Sequence, residues 1–179
     1  MKGIVVNCLE KLVSENYGTE KWNEIMSLSG VNVDKKYEMA DDIEDELVLK
    51  MFTHTCQIGN LSFEQACDVF GRYWVSSYIP RLYPDFYVGV TSARAFLLKL
   101  DAIHTSIATS IKNARPPRHR YEWKDENTLV MSYLSDRDLI ELFIGAINGV
   151  ARHFNEDIQI RKIDRQSVEI DLSASLSKA

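Results

Sequence analysis

Residues 115–134 read Arg115-Pro116-Pro117-Arg118-His119-Arg120-Tyr121-Glu122-Trp123-Lys124-Asp125-Glu126-Asn127-Thr128-Leu129-Val130-Met131-Ser132-Tyr133-Leu134. Two consecutive prolines cannot continue a helix: neither donates a backbone N–H, and each pushes the residue before it out of the helical region. Beyond the pair the pattern changes. Arg120 to Trp123, the polar turn Lys124 to Asn127, and Leu129 to Leu134 form the pattern of a β-hairpin. A helix then runs from about Arg137 to Phe154, with Leu139, Leu142, Phe143, Ala146, Ile147, Val150 and Ala151 inward. Ile158, Ile160 and Ile163 precede a turn at Asp164-Arg165-Gln166, and Val168, Ile170 and Leu172 alternate after it, a second hairpin. Ser173 to Ala179 is expected to be a frayed tail.

Before the prolines the chain reads helical. Val5, Leu9, Leu12 and Val13 share one face of a helix that Gly18 ends. Thr19 is placed to cap a short helix around Trp22 and Ile25. Asp41 and Asp42 are expected to open another, through Leu47, Met51 and Phe52, with carboxylates where the macrodipole favours them. Ser62 and Gln65 have capping-box spacing for a helix through Phe70, Trp74 and Tyr78, which Pro80 is expected to close. Thr91 or Ser92 starts the last helix, which runs to about Ile111. The fold class is α+β: a helical N-terminal lobe and a C-terminal lobe of about four antiparallel strands with one long helix. One domain spans residues 1–179, divided into subdomains 1–60 and 61–179.

Composition narrows the function. Of 179 residues, 45% are hydrophobic and 26% charged, which suits a globular domain with a real core. A net charge of −5 does not favour nucleic acid as a partner. No apolar run is long enough to span a bilayer, and Glu10 and Lys11 interrupt the N-terminus before a signal-peptide core forms. Cys8, Cys56 and Cys67 have no Cys-x-x-Cys spacing and are expected to be small apolar residues in a reducing cytoplasm.

His104 stands at helical spacing with Leu97, Leu100, Ile103, Ile107 and Ile111, in an apolar stripe. A core histidine satisfied by nearby polar groups is one reading. The other is a single axial ligand. One histidine is too few for zinc, but it suffices for haem, where a porphyrin supplies four nitrogens. His54 reads as a surface residue, His119 as part of the basic loop, and His153 as a cation at a helix C-terminus. Tyr133, Ser135 and Arg137 alternate as a strand ends, so their donors are expected on one face, suited to carboxylates. The competing reading is strand-end polarity, with Ser135 capping the next helix.

Taken in order, these segments resemble the haem nitric oxide/oxygen-binding (H-NOX) domain, also found as the haem domain of soluble guanylate cyclase. Met1-Lys2-Gly3-Ile4-Val5-Val6-Asn7 looks like the family's N-terminus. Phe70-Gly71-Arg72, Asp101-Ala102-Ile103-His104, Pro116-Pro117-Arg118, Tyr133-x-Ser135-x-Arg137, and then Gly145 and Gly149, follow at compatible spacing. The resemblance covers nearly the whole chain and suggests a stand-alone bacterial member. It implies haem b between the two lobes, His104 as proximal ligand, Tyr133, Ser135 and Arg137 on the propionates, and Pro117 pressing on the porphyrin. Some relatives carry a cysteine-rich zinc site near the C-terminus; no Cys follows Cys67, so no zinc is expected.

On the distal side, oxygen-binding relatives resemble one another in using a Tyr supported by Trp and Asn. The aligned positions here are Leu142, Leu9 and Trp74. With Val5, and with Ile4 and Ala146 at the margin, they describe an apolar pocket favouring NO and CO over O2. NO is expected to weaken the iron–histidine bond and relax the His104 helix. A histidine kinase or a cyclic-di-GMP enzyme (diguanylate cyclase or phosphodiesterase) is expected to read the change in trans. A peroxidase would need a distal acid–base pair. A module for an apolar carboxylate clamped by Arg137, and a scaffold with an accidental histidine, are the other readings.

Overall fold

The computed structural model describes residues 1–173; beyond Ser173 the expected tail lies outside the described residues. The chain forms two compact units, residues 1–66 with 111–115, and residues 67–110 with those from 116 on.

Three helices build the first unit: α1 (Gly3–Tyr17), α2 (Thr19–Leu28) and α3 (Asp45–Gly59). Val6, Leu9, Leu12 and Val13 of α1, Trp22, Ile25 and Met26 of α2, and Val48, Met51 and Phe52 of α3 are all buried. Gly18 ends α1 at φ 89°, a conformation that favours glycine. Thr19 is the first residue of α2, not its cap; Gly18 occupies that position without a side chain to offer. Nor do Asp41 and Asp42 open α3. Asp41 accepts the Glu38 N–H at 2.9 Å, while Asp42 binds Lys2 at 2.6 Å and Asn113 at 2.8 Å. Carboxylates committed to a turn cannot also cap, and Asp45 and Glu46 take the first turn of the helix instead.

A capping box heads α4 (Phe63–Tyr73). The Gln65 N–H reaches Ser62 Oγ at 3.1 Å, and the Ser62 N–H reaches Gln65 Oε1 at 2.8 Å. Pro80 does not close this helix. The path widens into a π-turn over Trp74–Tyr78 and resumes as α5 (Ile79–Leu82). In a π-turn the N–H of residue 79 bonds the Trp74 carbonyl, as observed, so the Val75 carbonyl would look to residue 80. Residue 80 is proline and has no N–H to give. The Tyr87 hydroxyl donates to the Val75 oxygen at 2.7 Å and satisfies the carbonyl that the π-turn and the proline together orphan.

α6 (Ala93–Ser110) begins after Ser92, whose Oγ accepts the Ala95 N–H at 3.1 Å. Four strands follow: β1 (Arg118–Trp123), β2 (Thr128–Leu134), β3 (Gln159–Lys162) and β4 (Ser167–Asp171). They form an antiparallel sheet in the order β1-β2-β4-β3, with Arg120 opposite Ser132 and Thr128 opposite Asp171. Leu129, Met131 and Tyr133 alternate into the buried face of β2, and Val168 and Ile170 do so in β4. α7 (Ile140–Phe154) starts three residues later than the periodicity suggests. Asp138, at φ 53°, breaks the helical path, and Asn155 ends the helix in the same left-handed region. Among the described residues no helix is long and apolar enough to cross a membrane.

Candidate functional site

α6 has two apolar faces, treated differently. Ala93, Phe96, Leu97 and Ile103 are buried, while Leu100, His104 and Ile107 remain half-exposed. His104 is therefore not sealed into the protein core: it stands in a partly open apolar stripe. Its Nδ1 lies 2.8 Å from the Pro117 carbonyl oxygen. A carbonyl can only accept, so Nδ1 carries the proton and Nε2 carries the lone pair. Burial holds the imidazole below its ordinary pKa, so the ring is neutral at neutral pH. A neutral imidazole with one nitrogen held by a backbone carbonyl and the other bearing a lone pair is the state that ligates a metal. Among the described residues no group of three or more His, Cys, Asp and Glu could hold a metal ion, so a metal on His104 needs donors from outside the protein. Haem brings them, and the half-exposed apolar stripe suits a flat apolar macrocycle.

One turn before His104, Asp101 clamps the chain that carries Pro117. Its carboxylate takes Arg118 Nε at 2.8 Å and Nη2 at 2.6 Å, and the His119 N–H at 2.8 Å. Sequence reasoning missed this clamp and the role of the Pro117 carbonyl. The Arg118 guanidinium beside Asp101 holds its carboxyl well below the usual carboxylate range, and the His119 N–H adds to that. A carboxylate with a folded pKa below its unfolded value of about 3.9 contributes stability that is fully present above that pH. The contribution is lost as pH falls through the folded value. Asp101→Asn is therefore expected to lower Tm by a few degrees at about pH 7 and by clearly less at about pH 3. Thermal melts at the two pH values check it; an equal drop at both would mean that the charge is not what matters.

His119 is the largest surprise. It is buried in β1, not exposed in a basic loop, with 5% of its surface accessible. Its ring stacks on Phe143 at 4.9 Å and 18°, and lies 5.1 Å from the His104 ring and 6.4 Å from the Tyr133 ring. His119 Nε2 is 3.2 Å from His104 Nδ1. Burial first, then the neighbouring His104, pushes its pKa down to about 4. The signal was present in the sequence: counting the alternation back from Tyr121 puts His119 on the same strand face.

Tyr133 faces His119 across the β1–β2 ladder, and its ring lies 5.5 Å from Phe143. The alternation that would carry Ser135 and Arg137 to the same face stops with β2 at Leu134. Both stand in the following turn, where Ser135 Oγ accepts the Arg137 N–H at 3.3 Å. Of the distal candidates, Val5 and Leu9 stand on α1, Val5 half-buried and Leu9 buried among the helices of the first unit. Trp74 begins the π-turn, its ring stacked between Phe70 at 5.7 Å and Tyr78 at 5.9 Å. Leu142 is half-exposed on α7. His54 holds Gln57 on α3 at 2.9 Å, and His153 packs on Tyr87 at 4.5 Å.

A helical unit and a four-stranded antiparallel sheet, with one histidine presented from an open apolar stripe, define a haem-binding sensor fold. The Haem-NO-binding family model matches residues 2–162, and the chain belongs to that family, the H-NOX domains related to soluble guanylate cyclase. H-NOX domains are sensor modules rather than catalytic ones; the family binds haem and gases and signals to partner enzymes such as guanylate cyclases. Two soluble guanylate cyclases of Caenorhabditis elegans are similar. For gcy-33 the identity is 26% over 170 residues, covering 93% of this chain and 18% of the cyclase. For gcy-35 it is 21% over 173 residues, covering 94% and 25%. The chain thus spans a quarter or less of these relatives. The crystal structure of an oxygen-binding H-NOX domain related to soluble guanylate cyclases, in its oxygen complex, has a TM-score of 0.84 at 23% identity, covering 98% of this chain and 97% of that one. A structure solved to explain H-NOX activation reaches a TM-score of 0.86 at 23% identity, covering 97% of each. At such identities the likeness is one of fold.

Proposed function

We propose that this chain is a sensor of nitric oxide and carbon monoxide that holds haem b through His104. The observation that supports it is the His104–Pro117 hydrogen bond, which leaves Nε2 of a neutral imidazole as the donor nitrogen. When bound, the haem supplies the ferrous centre at which a diatomic gas is held. No Cys-x-x-Cys-His attachment motif exists in the chain, so the cofactor is the non-covalent b type. Tyr133, Ser135 and Arg137 hold the propionates, with Arg137 as the charged fork and the two hydroxyls as neutral donors. The half-exposed Pro117 ring presses on the porphyrin.

Gas preference follows from the residues assigned to the distal side. Val5, Leu9 and Leu142 donate no hydrogen bond, and the flat face of Trp74 is taken up in an aromatic stack. Bound O2 carries partial negative charge and is held by a donor, whereas NO and CO need none. A cytoplasmic histidine kinase, diguanylate cyclase or phosphodiesterase reads the liganded state, which requires the gas to favour one conformer. Absorption spectra of the ferrous protein under NO, CO and air test the reading. Wild type is expected to respond to NO and CO and to show no lasting oxygen-bound spectrum in air. Leu142→Tyr, which adds a donor, is expected to gain one. A lasting oxygen-bound spectrum in the wild type would overturn the gas preference, and a protein that takes up no haem would overturn the whole reading.

A further inference from the structure

We infer that His119 is a positioning residue for His104, sharing the His104 Nδ1 proton with the Pro117 carbonyl and so strengthening the ligand nitrogen on the far side of the ring. The inference rests on His104 being the haem ligand.

The argument is one of donors and acceptors. His104 Nδ1 must carry a hydrogen, because the Pro117 oxygen at 2.8 Å can only accept it. His119 Nε2, at 3.2 Å from the same Nδ1, then cannot be a donor to it, since a protonated nitrogen has no lone pair to offer. His119 must present its own lone pair at Nε2 and carry its proton at Nδ1. That tautomer requires a neutral ring, and burial against Phe143 enforces neutrality. The Ser132 carbonyl favours a proton on the ring, although His119 Nδ1 has no partner within normal hydrogen-bond geometry. The His104 N–H is therefore bifurcated between two fixed acceptors, one from the backbone and one from a side chain.

Nothing about this arrangement is loose. Asp101 holds the His119 N–H at 2.8 Å from the same helix that carries His104, and the β1–β2 ladder fixes His119 opposite Tyr133. Phe143 of α7 closes over the ring. An imidazole that donates from Nδ1 gains electron density at Nε2 and binds a metal more firmly. His119 is thus set to raise the basicity of the ligand that the sensor's response depends on, without touching the cofactor.

The test uses the haem-loaded ferrous protein and resonance Raman spectroscopy of the iron–histidine stretch, with the ferric/ferrous midpoint potential as a second readout. His119→Phe, which fills the space and removes the acceptor, is expected to shift the stretch to lower frequency and the potential upward. His119→Gln, which restores an acceptor oxygen, is expected to return both toward wild type. Circular dichroism and Tm establish that each variant is folded. An unchanged stretch and potential in folded His119→Phe overturns the inference and leaves His104 as ligand. Loss of haem from folded His119→Phe also overturns it, because His119 would then be the ligand. A haem-loaded wild type with no iron–histidine band removes both readings.

Discussion

Replacing His104 by glycine is expected to strip haem from the purified protein, and millimolar imidazole is expected to restore it. Loss of a partner that merely supports a metal-ligating histidine already costs about 10–100-fold in affinity. Loss of the ligand itself is expected to exceed about 100-fold on that scale. Glycine opens a cavity of imidazole shape on α6, beside the half-exposed Leu100 and Ile107, so free imidazole can enter where the side chain was. Apoprotein stability separates this from misfolding, since a mid-helix glycine costs only about 1 kcal/mol. Haem content measured by pyridine haemochrome, with and without imidazole, reads the result. Full haem in His104→Gly without imidazole would move the ligand elsewhere, with His119 the next nitrogen to examine.

Gly145→Ala is expected to destabilise the protein more than any other single-methyl addition. The backbones of α4 and α7 touch at glycine. A Cβ on Gly145 would stand 2.3 Å from the Cys67 carbonyl oxygen and 2.8 Å from the Asp68 Cα. One on Gly71 would stand 2.3 Å from the Gly145 carbonyl carbon. Backbone cannot rotate aside as a flexible side chain can, so the helices must separate, pulling on the 2.7 Å Asn148–Asp68 hydrogen bond. Overpacking typically costs about 1–3 kcal/mol, and contact with main chain on both sides places this site at the upper end or beyond. For a chain of this length that corresponds to a fall in Tm of about 6–12 °C. A fall of under a degree or two would show that the helices part easily.

Local chemistry was legible from sequence wherever one residue's requirement dominates. Ser62 and Gln65 satisfy each other within four residues, so their capping box needs no tertiary context. Ser92 and Gly18 are similar, and so are the alternating strands whose period sets a buried face. Asp41 and Asp42 failed because partners far along the chain, such as Lys2 and Asn113, compete for the same carboxylates. Pro80 failed because a π-turn and the Tyr87 hydroxyl together absorb its missing donor, and neither shows in an apolar pattern. In the candidate site the sequence exposes His104 by its apolar neighbours. It hides His119, whose basic flanks look like surface until strand pairing and Phe143 bury it. Ser135 and Arg137 were misplaced by a strand period carried past the strand's end.

The π-turn works as a vernier on the aromatic row. In an α-helix of 3.6 residues per turn, positions four apart overshoot a full turn by about 40°, so a row drawn through every fourth residue spirals around the axis. The wider π-turn makes the same four-residue step undershoot. Phe70 to Trp74 is stepped in α geometry and Trp74 to Tyr78 in π geometry, and the two errors have opposite sign. The three rings stay in one column, at interplanar angles of 24° and 27°. Deleting one residue between 74 and 78 would return the segment to plain α geometry, dropping Tyr78 out of line and rotating everything after it by about 100° about the helix axis. The column is therefore a length standard written into the chain: it tolerates exchange of one ring for another far better than a change in residue count.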